Sequence, residues 1–205
     1  MKRNPSNNVL IQFILLFIVI VISVGSQLLA DDIVADSAKD TTYLDSGYIL
    51  IPVYTKPVSS TTEWKIKDNK ASLWINNNYW IKAKLGLNDQ SVLEFEHIEG
   101  EVKALCLYDK TELTEQELRE LVISNAKKAA YDAKVVFEEI RLVNDAEVLC
   151  LRIDGTINTS AFTYFGYYYT GVIGTIQLIT ISEPSTFDDY QYELESFLDG
   201  LEIRK

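Results

Sequence analysis

The sequence has very few of the residues on which most catalytic designs depend. Its 205 residues include one histidine and two cysteines. The G-x-S-x-G nucleophile elbow, the P-loop, the dinucleotide-binding glycine fingerprint and the H-E-x-x-H zinc motif are all missing from it. We therefore predict a domain that is not an enzyme, with no catalytic residues, no cofactor site and no metal site.

Basic residues are also scarce. Lysine and arginine total 19 against 30 aspartates and glutamates, which gives a net charge of −11. A strongly acidic domain repels nucleic acid phosphates and anionic lipid headgroups. The charge argues against nucleic acid as a partner and against membrane contact outside the N-terminal segment. Cationic partners stay open, although solubility alone is a sufficient reason for such a charge.

The single histidine, His97, is the one side chain that suggests a metal site. Strand alternation would place Glu99 and Glu101 on the same face, and imidazole with carboxylates suits zinc or manganese. Gly100 disturbs that alternation. We therefore prefer to interpret this stretch as a solvated, charged face.

The two cysteines, Cys106 and Cys150, lie in similar Leu-Cys-Leu contexts. A disulfide between them is chemically allowed in an exported protein, provided that their strands are neighbours. Otherwise each is a small buried hydrophobic residue. A Cys-His nucleophile pair is disfavoured because both thiols are predicted to be buried.

The N-terminus differs in composition from the rest of the chain. Residues 1–30 carry Lys2 and Arg3, then a long apolar run, then Ala30 before two aspartates, which indicates a signal peptide or an N-terminal membrane anchor. Residues 31–62 read as a polar stalk with an edge strand around Pro52. Residues 63–205 are predicted to form one α+β globular domain.

The stretch Ser160–Ser182 predicts a β-hairpin around which the domain is built. Its two strands are rich in aromatic and β-branched residues, and the connection Gly171–Gly174 has a glycine at each end. Alternation gives two aromatic faces, one with Phe162, Tyr164 and Tyr168 and the other with Phe165, Tyr167 and Tyr169. A strand that is aromatic on both faces is expected in the middle of a sheet.

Four tyrosines of this hairpin, Tyr164, Tyr167, Tyr168 and Tyr169, allow two interpretations. Tyrosine offers an apolar body and a polar tip, so the row could be a partner surface. It could equally be core packing between a sheet and the helices that cover it, which is the interpretation we prefer.

The other elements follow from local patterns. A helix over Thr114–Ala133 begins with a capping box between Thr114 and Glu117. A last helix is predicted to begin at Thr186 and to end at Gly200. Further strands are predicted at Ala71–Ile75, Tyr79–Leu85, Ser91–Ile98, Glu101–Tyr108, Val135–Val143, Val148–Ile157 and Leu201–Ile203. The order predicts an α+β fold with an antiparallel sheet packed with a mid-chain and a C-terminal helix.

That order resembles the PsbP-like fold family. The likeness covers Lys70–Ile203 and is carried by Leu73-Trp74-Ile75, the helix from Thr114, the hairpin through Gly171–Gln177 and the stretch Phe197–Leu201. It implies a non-enzymatic accessory or binding domain outside the cytoplasm, either periplasmic or secreted, with a protein partner in the cell envelope.

Two functions therefore compete. The first is an exported or membrane-tethered, non-enzymatic binding or accessory domain. The second is a carboxylate-dependent extracytoplasmic hydrolase or transferase. The second would need a pocket in which two acidic side chains converge about 5–9 Å apart.

Overall fold

A computed structural model describes residues 51–83 and 91–204 of the chain. The predicted signal peptide or anchor, and most of the predicted stalk, lie outside the described residues. Within the described ranges, no helix has both the length and the apolar character that crossing a membrane requires.

The described residues form two helices and eleven strands. The helices are α1 (Glu115–Ala129) and α2 (Pro184–Leu198). The strands are β1 (Val53–Tyr54), β2 (Thr62–Ile66), β3 (Ala71–Ile75), β4 (Trp80–Lys82), β5 (Ser91–His97), β6 (Lys103–Asp109), β7 (Lys134–Val143), β8 (Ala146–Ile157), β9 (Ser160–Gly171), β10 (Gly174–Ser182) and β11 (Leu201–Ile203).

Eight of these strands form one large sheet in the order β1-β7-β8-β9-β10-β6-β5-β4. The predicted α+β class is confirmed. The sheet is mixed rather than purely antiparallel, because β1 pairs with β7 in parallel, with Val53 opposite Leu142. The predicted edge strand around Pro52 is therefore present, and it joins the large sheet.

The central hairpin lies where the sequence predicted it. β9 and β10 are the fourth and fifth strands of the eight, and Val172-Ile173 connects them. Gly174 has a φ of +105°, a backbone conformation that residues other than glycine rarely adopt. A Cβ there would also lie 2.2 Å from the carbonyl oxygen of Asp109. Glycine is required for this turn.

The two strands on either side of Asn76–Asn78, β3 and β4, do not pair with each other. β3 belongs to a second sheet of three strands, in the order β11-β3-β2, whereas β4 pairs with β5 in the large sheet. The turn therefore passes the chain from one sheet to the other.

Both helices begin and end close to their predicted limits. The capping box at α1 is formed as predicted, with Thr114 and Glu117 bonded reciprocally. The predicted cap of α2 is wrong, because the N-cap is Glu183 and not Thr186. Pro184 follows it at the first helical position, where its fixed φ suits a helix start and its missing N–H costs nothing.

The large sheet is covered on both faces, as the aromatic alternation predicted. α1 packs on the face that carries Phe162, Tyr164 and Tyr168. α2 packs with the small sheet on the face that carries Phe165 and Tyr167. The hairpin side chains therefore form the middle of two separate hydrophobic cores.

Candidate functional site

Three of the four tyrosines proposed as a partner surface are in the core. Tyr164, Tyr167 and Tyr168 are respectively 4%, 0% and 2% exposed. The partner-surface interpretation is therefore wrong for these three, because each lies under one of the two helical layers. Tyr169 is half-buried at the end of the row and is the one of the four that solvent can reach.

On the α2 face, the hydroxyl of Tyr167 is the middle of a buried polar cluster, which we call the Arg141 cluster (Arg141, Tyr167, Asp199, Glu139 and Glu195). The Nη1 of Arg141 donates to the Tyr167 oxygen at 2.9 Å, and that hydroxyl donates to Oδ1 of Asp199 at 2.8 Å. Arg141 also binds Glu139 through Nε and lies 3.6 Å from Glu195 through Nη2. The guanidinium of Arg141 thus contacts two carboxylates directly and is connected to the third, that of Asp199, through the Tyr167 hydroxyl.

The charges in the Arg141 cluster are unequally neutralised. Burial, with a smaller contribution from the nearby Glu195, raises the pKa of Asp199 to about 6 against the opposing effects of the Tyr167 hydrogen bond and the Arg141 charge. Arginine remains charged at any physiological pH. Asp199 is therefore the member of the cluster that can change its charge near neutral pH.

Asn144 connects this cluster to its surroundings. Its Nδ2 donates to the backbone oxygens of Asp199 and Leu201, at 2.8 and 2.7 Å. Its Oδ1 accepts from the backbone N–H of Lys56 at 2.7 Å. With a φ of +46°, Asn144 occupies the left-handed region that asparagine tolerates in the β7–β8 turn. One side chain therefore holds together the end of α2, the β7–β8 hairpin and the chain after β1.

An open cavity of about 450 Å³ is lined by the first turn of α1, the β7–β8 hairpin and the end of β9, and its lining includes residues of both hydrophobic cores. Tyr168 and Tyr169 are among the lining residues, and so are three exposed acids, Glu115, Asp145 and Glu147. Among the described residues, its lining has no lysine, arginine or histidine. We call this the acidic cavity. Its three carboxylates favour a cationic side chain.

The two cysteines do not form a disulfide, so that interpretation is corrected. Both are free and buried. Cys150 pairs with Tyr167, which pairs with Leu178, which in turn pairs with Cys106. Three strand spacings separate the thiols, about 14 Å at ~4.8 Å per strand, and a disulfide cannot span that distance. Burial raises the pKa of each thiol to about 12, which makes both unreactive.

His97 does not lie on a solvated face, as the sequence interpretation had it. Its side chain is 2% exposed and lies among the rings of Tyr79, Trp80 and Tyr190. Its Nδ1 accepts from the backbone N–H of Glu99 at 3.4 Å. Burial lowers the pKa of His97, and the nearby carboxylates oppose this.

Metal-ligating side chains do not assemble around His97. Glu99 and Glu101 are exposed, whereas the imidazole is buried. Among residues 51–83 and 91–204, no three histidine, cysteine or acidic side chains are grouped closely enough to hold a metal ion. In this fold His97 is an aromatic core residue.

Comparisons with known proteins identify the fold. No protein-family model matches the chain, and no curated protein matches its sequence. Among solved structures, the cyanobacterial PsbP of Synechocystis sp. PCC 6803 superposes with a TM-score of 0.54 at 10% identity, over 72% of this chain and 95% of that one. LpqN of Mycobacterium tuberculosis, which is involved in cell envelope biogenesis, gives 0.46 at 8% identity, over 70% and 90%.

The match to the cyanobacterial PsbP defines the class of the protein first. It is an α+β domain in which a sheet is covered by a mid-chain helix on one face and a terminal helix on the other. Within that class the chain has the PsbP-like fold, as the resemblance in its sequence implied. Identities near 10% establish the fold alone.

Two functional features escaped the sequence analysis. Arg141 stands between Ile140 and Leu142 in the strand Val-Phe-Glu-Glu-Ile-Arg-Leu-Val, and a charge between apolar residues signals a partner where it is buried. Asp199 stands at the end of a helix, where an acid opposes the helix dipole. Both signals were present, but only the fold brings the two residues to the same tyrosine.

Proposed function

We propose that this protein is a non-catalytic accessory domain, exported or tethered by its N-terminus, that binds a basic segment of a protein partner in the cell envelope. The observation that carries the proposal is the acidic cavity. The cavity has a volume of about 450 Å³, three carboxylates in its lining and, among the described residues, no basic side chain. A PsbP-like fold is compatible with such a role and does not by itself assign it.

The chemistry of the cavity favours a lysine or arginine side chain from a partner. Asp145 and Glu147 lie on the β7–β8 hairpin, and Leu142 and Val148 are apolar residues of the same lining. A long basic side chain can lay its methylene stem on the apolar part of the lining and direct its charge to the carboxylates. A single site of this kind gives weak binding, so a partner would need further contacts around it.

The carboxylate-dependent enzyme is the less favoured alternative. Glu139, Glu195 and Asp199 are grouped closely, but all of them surround the guanidinium of Arg141. None of the three lines the acidic cavity. An acid that is already paired in the core is poorly placed to meet a substrate.

The experiment is a titration of the full-length protein with a penta-lysine peptide, followed by amide NMR shifts. We expect the shifts to concentrate on the β7–β8 hairpin and the first turn of α1, and to weaken steeply with salt. Glu147→Gln should weaken binding severalfold. The matched control is Glu101→Gln, an exposed acid between β5 and β6, which should bind as the unmodified protein does.

Shifts spread evenly over the acidic surface, or equal losses in Glu147→Gln and Glu101→Gln, would show non-specific attraction and contradict the proposal.

Export is tested separately, by fractionation with N-terminal sequencing of the mature protein. Lys2, Arg3 and the apolar run after them motivate this part of the proposal. Untruncated protein in the cytosol would contradict it.

A further inference from the structure

The Arg141 cluster has a consequence that is independent of the function proposed above. It contains one permanent positive charge, on Arg141, and three carboxylates, on Glu139, Glu195 and Asp199. Arg141 is almost fully buried, and the side chains of Glu139 and Glu195 are about three-quarters buried. Two negative charges are therefore left over in a place where water cannot screen them well.

Asp199 is the carboxylate with the weakest compensation. Arg141 contacts the other two directly, whereas its charge reaches Asp199 through the hydroxyl of Tyr167. Asp199 is also the C-terminal cap of α2, and Glu195 stands one turn before it. A negative charge at a helix C-terminus is unfavourable, and so is a like charge four residues away.

Every element packed against Asp199 adds to this balance. The groups that act on its charge are Tyr167 from β9, Arg141 from β7 and Glu195 from α2. The charge of Asp199 in turn acts on Cys150 from β8 and Tyr54 from β1, and Glu139 from β7 is bound to Arg141. Arg141 is the one cation among them. The tyrosines and the cysteine stay neutral, because burial raises the pKa of each.

We propose that the Arg141 cluster is a proton-binding site, in which Asp199 takes up one proton from solvent as the surroundings change from neutral to mildly acidic. An O–H bond forms on the Asp199 carboxyl, and Tyr167 can still donate to the oxygen that stays unprotonated. The excess negative charge falls by one. The end of α2, and β11 beyond it, keep their hydrogen bonds to Tyr167 and Asn144, and the repulsion between the carboxylates becomes smaller.

The sign of the effect follows from linkage. A carboxyl that holds its proton more tightly in the folded state than in the unfolded state makes folding more favourable as pH falls. The pKa of Asp199 is raised to about 6, above its ordinary value of 3.8. Its contribution is therefore largest below about pH 4 and is lost as pH rises through 6. The change between pH 7 and pH 5 captures somewhat less than half of it.

The test compares urea unfolding of the full-length protein at pH 7 and pH 5 with that of Asp199→Asn, which keeps an acceptor for Tyr167 and cannot ionise. The measured quantity is the unfolding constant at pH 7 divided by that at pH 5. We expect this ratio to be roughly three- to tenfold larger in the unmodified protein than in Asp199→Asn. Other groups, including His97, contribute equally to both proteins and cancel. Asp68→Asn, in an exposed turn, is the matched control and should retain the full ratio.

A second measurement does not depend on whether the Asp199→Asn variant folds. An NMR titration of the Asp199 carboxyl carbon in the unmodified protein gives the pH at which this group takes up its proton. We expect a titration midpoint well above 3.8. A midpoint at or below 3.8, or equal pH dependence in the unmodified protein and Asp199→Asn, would overturn the proposal.

Discussion

Two tyrosines of the same strand, Tyr167 and Tyr164, show how differently the two faces of the sheet treat a buried hydroxyl. Tyr167, on the α2 face, accepts from Arg141 and donates to Asp199. Tyr164, on the α1 face, has no hydrogen-bond partner among the described protein atoms. Both rings are almost completely buried. On the α1 face the ring of Tyr164 packs in the core, whereas on the α2 face the ring of Tyr167 packs and its hydroxyl also forms hydrogen bonds.

The difference teaches that the hairpin has two structural roles. On the α1 face, Tyr164 is an aromatic filler beside Phe162, with ring centroids 4.4 Å apart. On the α2 face, Tyr167 is a polar connector between a sheet strand and the end of a helix. The exposed fractions of Tyr164 and Tyr167 do not distinguish these roles, whereas their hydrogen-bond partners do.

The largest expected effect is on Arg141. Replacing it with alanine leaves Glu139, Glu195 and the Tyr167 hydroxyl without their cation, and removing one partner of a buried pair costs about 3–5 kcal/mol. Arg119 is the control, because it pairs with Glu138 in an exposed bidentate geometry. Arg119→Ala should cost under about 1 kcal/mol in urea unfolding. Equal costs would mean that the Arg141 cluster is not a structural centre.

The two tyrosines themselves come next. Tyr167→Phe removes an acceptor from Arg141 and a donor from Asp199, and we expect a loss of about 1–3 kcal/mol. Tyr164→Phe removes a hydroxyl that has no hydrogen-bond partner in the described part of the chain, so its cost should stay below about 0.5 kcal/mol. Chemical denaturation of both variants tests the comparison directly, and a reversed order would break it.

A smaller effect concerns the pH dependence of His97. Burial lowers the pKa of His97, so the unfolded state takes up its proton more readily than the folded state does. The stability that neutral His97 provides is present above its ordinary pKa of 6.5 and is lost as pH falls. The sign is opposite to that of Asp199, although both residues lie on the α2 face.

Unfolding curves of His97→Phe between pH 7 and pH 5 check this sign. The variant should gain more stability on acidification than the unmodified protein does, whereas Asp199→Asn should gain less. If both variants shift in the same direction, the assignment of opposite proton linkages to these two residues is wrong.

Most of the fold could be predicted because its local signals agree with one another. The capping box at Thr114, the glycines at Gly171 and Gly174 and the aromatic alternation of β9 each indicated the element that forms there. The failures concern pairing over long distances. Nothing local says that β3 and β4 belong to different sheets, or that β1 joins β7 in parallel.

The candidate sites were harder to predict for the same reason. A row of tyrosines is compatible with a surface and with a core until the covering helices are placed, and here they bury three of the four. Cys106 and Cys150 share a face and a row, but two strands lie between theirs. Asn144 and Asp199 are 55 residues apart in the chain and become neighbours only through the fold.

The central claim is that Tyr169, and not the buried tyrosines, belongs to the binding surface. The most direct measurement is the affinity for the penta-lysine peptide of Tyr169→Ala, with Tyr131→Ala as the control because Tyr131 is 94% exposed and does not line the cavity. We predict that Tyr169→Ala weakens binding severalfold, because Tyr169 is a partly exposed residue of the cavity lining. Tyr131→Ala should bind unchanged. Equal affinities of the two variants, with both proteins folded, would contradict the account.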